Sequence, residues 1–173
     1  GTLSVAAFPA AARAVMPQVL ATLGRDHPKL RLTLRDLESS EGLLALQLDE
    51  IDVAVVDGYD EVSRVRSPGI DTVEILRDPL YVAIPPDEET PAGGIALADL
   101  RDQAWIMATE TSPIFGVIVR ACRQAGFDPD VRFLCKDDSV ILALVAAGLG
   151  VGVLPGLALH DRTVPARFAA LRP

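Results

Sequence analysis

Apolar and polar positions follow two different periods along the chain, and the switches between them predict a succession of strands and helices. Leu3-Ser4-Val5-Ala6 reads as a short strand. A helical stripe follows from Ala10 to Leu23, with Val15, Val19 and Leu23 spaced four apart. Pro17 lacks an N–H to give to the helix and predicts a kink or a restart, while Gly24 and Pro28 predict the end. Leu30 to Leu34 alternates with a period of two, as a strand with one wetter face does. Ser39 and Ser40 are suited to cap a helix carrying Leu43, Leu44 and Leu48. Ile51 to Val56 is apolar almost throughout, the pattern of a strand covered on both faces.

Asp57 to Asp71 is rich in Gly, Pro and charge and predicts a loop. Val73-Glu74-Ile75-Leu76 predicts an extended segment, and Leu80 to Ile84 a stronger strand. The run from Pro85-Pro86 through Gly93-Gly94 is the sharpest break in composition, so the boundary of two units, 1–84 and 85–173, is expected there. Beyond it, Ala98 to Leu100 reads as a short helix and Ala104 to Met107 as a strand. Ser112 and Pro113 then open a helix whose apolar stripe is Ile114, Val117, Ile118, Ala121, Cys122 and Ala125, stopped by Gly126. Val131 to Cys135 is a strand, and Asp138 or Ser139 caps a helix that ends at Gly148. Leu149 to Leu154 is a buried strand. This alternation predicts an α/β fold with a largely parallel sheet, in two Rossmann-like subdomains. The sequence shows no internal repeat.

Composition narrows the function. Half of the 173 residues are hydrophobic and 23% are charged, with a mean hydropathy of +0.31, so the chain has material for a sizeable core. The net charge is −8, with −5 before residue 85 and −3 after it, so neither half supplies the basic surface that a nucleic acid demands. No apolar run reaches a membrane span and no leader pattern is visible, which makes the cytoplasm the expected compartment, without membrane contact. Cys122 and Cys135 are too few and too far apart for a disulfide framework or a zinc site, and they read as core residues more readily than as a redox pair. His27 and His160 have no companions with ligand spacing, so no metal and no cofactor is expected.

Ligands of open α/β units sit at the carboxyl ends of strands, where helix starts point inward, and two such units joined by a crossover make a cleft. That rule selects three loops: Phe8-Pro9-Ala10, Glu38-Ser39-Ser40, and Thr109-Glu110-Thr111-Ser112. Their hydroxyls and free N–H groups suit a small polar ligand, although the serines also serve simply as helix caps. Gly148-Leu149-Gly150-Val151-Gly152 looks like a dinucleotide motif but closes a helix and enters a strand, the reverse of what phosphate binding requires. Asp137-Asp138 reads as helix capping rather than paired catalytic acids. With no nucleophile elbow and no Cys/His arrangement, nothing in the chain reads as an enzyme.

Four stretches share order and spacing with one family. Val15-Met16-Pro17-Gln18-Val19-Leu20, His27-Pro28, Asp49 to Val56, and Val145 to Pro155 together resemble the effector-binding domain of LysR-type transcriptional regulators. The resemblance implies the fold of type 2 periplasmic binding proteins, with a ligand cleft between two subdomains. It implies a small-molecule effector, self-association as a dimer or tetramer, and DNA contact only through an N-terminal helix-turn-helix outside this chain. It also implies a return strand and final helix beyond Pro173. In such families the first helix, here Val15 to Leu23, packs against a partner's helix equivalent to Ile114–Ala125. Carried over by position, a frequent effector-binding hydroxyl falls on Ala10, which lacks one, and a second falls on Ser39. A position that is basic in members binding carboxylates is Asp57, which disfavours a simple diacid and favours a neutral or amine-bearing effector. The expected ligand-binding set is therefore Pro9, Ala10, Ser39, Asp57, Thr109, Thr111 and Ser112. A solute-binding protein for uptake shares the implied fold and stands as the alternative; the sequence immediately before Gly1 discriminates the two.

Overall fold

The computed structural model describes residues 1–59, 69–91, 93–160 and 164–172. The chain divides into two compact units, Gly1–Glu74 and Ile75–Pro173. The division lies ten residues before the expected 84/85 boundary because Leu80–Ile84 hydrogen-bonds into the second unit's sheet. The described part of the Pro/Gly/acid run, 85–91 with Gly93 and Gly94, accordingly lies within that unit. The loop expected at Asp57–Asp71 falls largely outside the described residues.

The first unit is a three-stranded parallel sheet of β1 (Thr2–Ala7), β2 (Arg31–Asp36) and β3 (Val53–Val55), in the order β2-β1-β3. Between β1 and β2 run α1 (Pro9–Ala14) and α2 (Met16–Asp26). The expected single helix is indeed split, at Val15, because Pro17 has no N–H to continue the first helix but suits the first turn of the next. It also runs past Gly24 to Asp26, where the N–H of His27 closes on the carbonyl of Leu23 at 2.8 Å. On one face of β1, Val5 and Ala7 pack with Ala11 and Met16; on the other, Ala6 packs with Ala45 of α3 (Ser39–Gln47) and with Ile51. Glu38, not Ser39 or Ser40, is the N-cap of α3, and Glu41 Oε2 reaches back to accept the N–H of Glu38 at 3.1 Å. The strand expected to be covered on both faces is only three residues long, and its Val53 is 43% exposed. No strand forms at Val73–Leu76, where Val73 is 78% exposed: alternation without a neighbouring ladder leaves the segment merely extended.

The second unit contains β4 (Leu80–Ile84), β5 (Ile95–Ala96), β6 (Ala104–Ala108), α4 (Pro113–Gln124), β7 (Asp130–Cys135), α5 (Asp138–Ala146), β8 (Gly152–Pro155) and β9 (Arg167–Arg172). Its four-stranded sheet has the order β5-β9-β4-β8 and is mixed, with β4 antiparallel to both β8 and β9, where a largely parallel sheet was expected. The parallel pair β6-β7 joins this sheet through a bridge between Trp105 and Val151, and Ile106 N–H donates to Val151 O at 2.8 Å. The local order β7-β6-β8 therefore repeats β2-β1-β3: a first strand in the middle, a second on one side, a third on the other.

The core of this unit is large-residue packing, with Ile106, Ile141, Leu142, Val145 and Leu154 in one cluster and Trp105 fully buried, its indole N–H donating to Leu100 O at 3.2 Å. Asp137 caps α5, one residue before the expected position, accepting the N–H of Ser139 at 2.7 Å. The glycines of the 148–152 run act through the backbone. Gly150 has φ +150°, and a Cβ there would stand 2.3 Å from Ala104 O; Gly152 leaves room for Ile141. This is close packing of a strand, with no helix start for a phosphate.

Candidate functional site

In the first unit the carboxyl ends of β1 and β3 form a topological switch point, since the chain leaves β1 toward β2 on one side while β3 lies on the other. The two ends are tied by the Phe8 N–H donating to Val55 O at 3.2 Å, and β2 is tied to β1 by the Leu37 N–H donating to Ala7 O at 3.1 Å. Four residues of the expected ligand-binding set, Pro9, Ala10, Ser39 and Asp57, meet this edge. Pro9 begins α1 and is exposed, and Ala10 is buried in the core, so neither offers a polar side-chain group. Ser39, at the first turn of α3, and Asp57, two residues beyond β3, are brought together: Ser39 Oγ donates to Asp57 Oδ1 at 2.5 Å, and Asp57 N–H donates to Ser39 Oγ at 3.0 Å. Both are half-buried. This pair joins residues 18 apart, which periodicity cannot reveal; the strand-end rule and the family resemblance pointed to Ser39, and the resemblance alone to Asp57.

The second unit repeats the arrangement at the end of β6. Thr109 N–H donates to Cys135 O at 3.1 Å, Ser112 N–H donates to Thr109 O at 2.8 Å, and the turn so formed sets the hydroxyls of Thr109 and Thr111 3.1 Å apart. Ser112 is the N-cap of α4, yet its side chain makes no capping hydrogen bond. Its hydroxyl is thus not consumed by the cap role that the sequence offered for it. Two surface depressions, of about 500 and 420 Å3, lie elsewhere, along the outer face of α4 at Phe115, Val119 and Arg123; Glu110 reaches the rim of the second. They are open grooves whose charged lining includes Glu110, Arg120, Arg123 and Asp128, with Arg123 paired to Asp128 at 2.7 Å on the exposed surface.

The remaining candidates are structural. The α4 stripe of Ile114, Ile118 and Cys122 faces the core, so on that helix the apolar spacing reports packing. Burial pushes the Cys122 thiol up to about 11, reinforced by the nearby Asp128 charge, and burial also raises Cys135. Neither is poised as a thiolate. Among the described residues no group of three or more His, Cys, Asp or Glu is placed to hold a metal, and no helix is long and apolar enough to cross a membrane.

Comparison with known proteins places this geometry. A family model described as the LysR substrate binding domain matches residues 1–172. The chain is 26% identical over 165 residues to a hydrogen peroxide-inducible genes activator of Dickeya chrysanthemi, covering 95% of this chain and 52% of that protein. It spans about half the length of the curated relatives it matches. In structure it is similar to the CcmR regulatory domain of Synechocystis PCC6803 in complex with 2-PG, with a TM-score of 0.82 and 21% identity, over 99% of this chain and 81% of that one. It is similar also to full-length CbnR complexed with target DNA, with a TM-score of 0.80 and 23% identity, over 100% and 60% of the two chains.

Proposed function

This chain belongs to the LysR substrate-binding-domain family, and we propose that it is the effector-sensing part of a cytoplasmic transcriptional regulator, binding a small molecule without transforming it. The observation that carries this reading is the repeated switch point. Each unit presents side-chain hydroxyls at the carboxyl end of its first-strand edge, Ser39 in one and Thr109 with Thr111 and Ser112 in the other. Parallel α/β sheets bind ligands at such edges because backbone N–H groups and short polar side chains converge there on a rigid frame. The Ser39 hydroxyl gives its proton to Asp57 and accepts the Asp57 N–H, and the two thiols are buried with raised pKa, which supports recognition as the chemistry of these groups.

The ligand-binding set in this reading is Ser39, Asp57, Thr109, Thr111 and Ser112 by side chain, with Pro9 and Ala10 shaping the first loop. Effector binding would then shift the population of two arrangements of the regulator's subunits, and DNA contact would belong to a domain outside these residues, since a chain of charge −8 supplies no phosphate-binding surface. The hydrogen peroxide activators among the relatives raise a redox-sensing reading, but burial and the raised thiol pKa of Cys122 and Cys135 weigh against it.

A thermal-shift screen of small polar metabolites, followed by isothermal titration, tests the proposal. The expected result is saturable binding by one chemical class, weakened at least tenfold by Ser39→Ala and by Thr109→Val. Binding indifferent to both substitutions would overturn the assignment of these loops.

A further inference from the structure

Resting on the reading above, the geometry points to a ligand class for the first unit: we infer that Asp57 makes its switch point select a hydrogen-bond-donating group, an ammonium above all, and reject a carboxylate. A serine hydroxyl has one proton to give and two lone pairs to offer. At Ser39 that proton goes to Asp57 Oδ1, and one lone pair is taken by the Asp57 N–H. The hydroxyl therefore meets a ligand as an acceptor. Asp57 itself adds a carboxylate, an acceptor with lone pairs beyond the one that Ser39 uses. Across the edge, Pro9 has no N–H and Ala10 has no polar side-chain atom, so the β1 loop brings no side-chain donor that would reverse the balance.

The usual attraction of such an edge for anions comes from the amino end of the following helix. In α3 that end already carries negative charge of the chain's own: Glu41 accepts the N–H of Glu38, Glu38 stands at the N-cap, and the Asp57 carboxylate stands on Ser39. An incoming carboxylate meets the like charges of Asp57, Glu38 and Glu41 around this end, whereas an ammonium meets acceptors on both Ser39 and Asp57. The half-buried position of the pair strengthens either effect relative to open solvent.

Matched probes read this out directly: benzylamine against benzoate, and ethanolamine against glycolate, titrated calorimetrically into the 173-residue chain. The amine of at least one pair is expected to bind at least tenfold more tightly than its carboxylate. Asp57→Asn should abolish that preference. Ser39→Ala should weaken both members while keeping it, because the carboxylate remains; circular dichroism verifies that each variant is folded. Tighter binding of a carboxylate, lost in Ser39→Ala and unchanged in Asp57→Asn, overturns the inference and leaves the effector-binding reading standing. Absence of saturable binding by any probe overturns the inference, while the broader metabolite screen decides the reading itself.

Discussion

The two units solve the same topological problem with different materials. Both place a first strand between its successors, as β2-β1-β3 and β7-β6-β8, and both leave hydroxyls at the carboxyl edge. The first unit does so with small residues: Ala6, Ala7, Ala10, Ala11 and Ala45 dominate its buried set, with Met16 and Ile51 its bulkiest members. The second buries Trp105, Ile106, Met107 and Leu154 completely or nearly so, and widens the frame with an antiparallel trio of strands. Apolar area buried is the main stabilising term of folding, so the second unit holds the larger share of it and the first is the more easily perturbed platform.

Substitutions can break that contrast in order of size. Trp105→Ala should cost about 3–5 kcal/mol, read as a lowered urea midpoint by far-UV circular dichroism, because a filled interior and an indole hydrogen bond are both lost. Met16→Ala in the first unit should cost about 2–3 kcal/mol on the same assay, the lower end of the range for such changes, since its neighbours are already small. An equal or larger loss than at Trp105 would mean that the first unit's thin core is the controlling one.

Alkaline pH offers a third comparison, because both cysteines lie in the second unit. The Cys122 thiol is raised from 9.0 to about 11 by burial, so the folded state holds its proton more tightly than the unfolded chain does. Its stabilising effect is full below pH 9 and is lost as pH rises from 9 toward 11, amounting to at most about 2–3 kcal/mol. Cys122→Ala should show a shallower fall of stability over that window. At pH 8 the folded chain should react with a disulfide reagent at Cys122 only on unfolding. The smallest effects separate capping from recognition: Asp137→Ala should cost about 1 kcal/mol through its lost bond to Ser139, whereas Ser112→Ala should change stability by less than about 0.5 kcal/mol, because its side chain caps nothing.

Local periodicity revealed what is locally determined. The strands around Val5, Leu32, Val82, Ile106 and Phe133, the restart at Pro17, and the buried stripe of α4 were all legible, since each follows from side chains alternating between core and water over a few residues. Partnership was not legible. Val73-Glu74-Ile75 has the same alternation as a strand, but ladder bonds come from another segment, and none is supplied there among the described residues. The joining of β9 to β4 pairs residues more than 80 positions apart and turns an expected parallel sheet into a mixed one. The repeat of strand order between the units leaves no trace in residue identity, because topology is held by backbone bonds that many side chains satisfy. At the candidate site the strand-end rule located Ser39 and the family resemblance pointed to Asp57, while their mutual hydrogen bonds, and the place of Glu38 rather than Ser39 at the N-cap of α3, required the fold.

Asp57 stands two residues past the last ladder position of β3, so its side chain carries none of the sheet's bonding. A single-base change suffices to convert an aspartate codon to an asparagine codon, which would remove the charge while keeping the shape. In the ligand selection proposed above, the residue that sets which molecule is heard thus lies outside the sheet's ladder, and descendants of this chain have a short mutational path to a different signal.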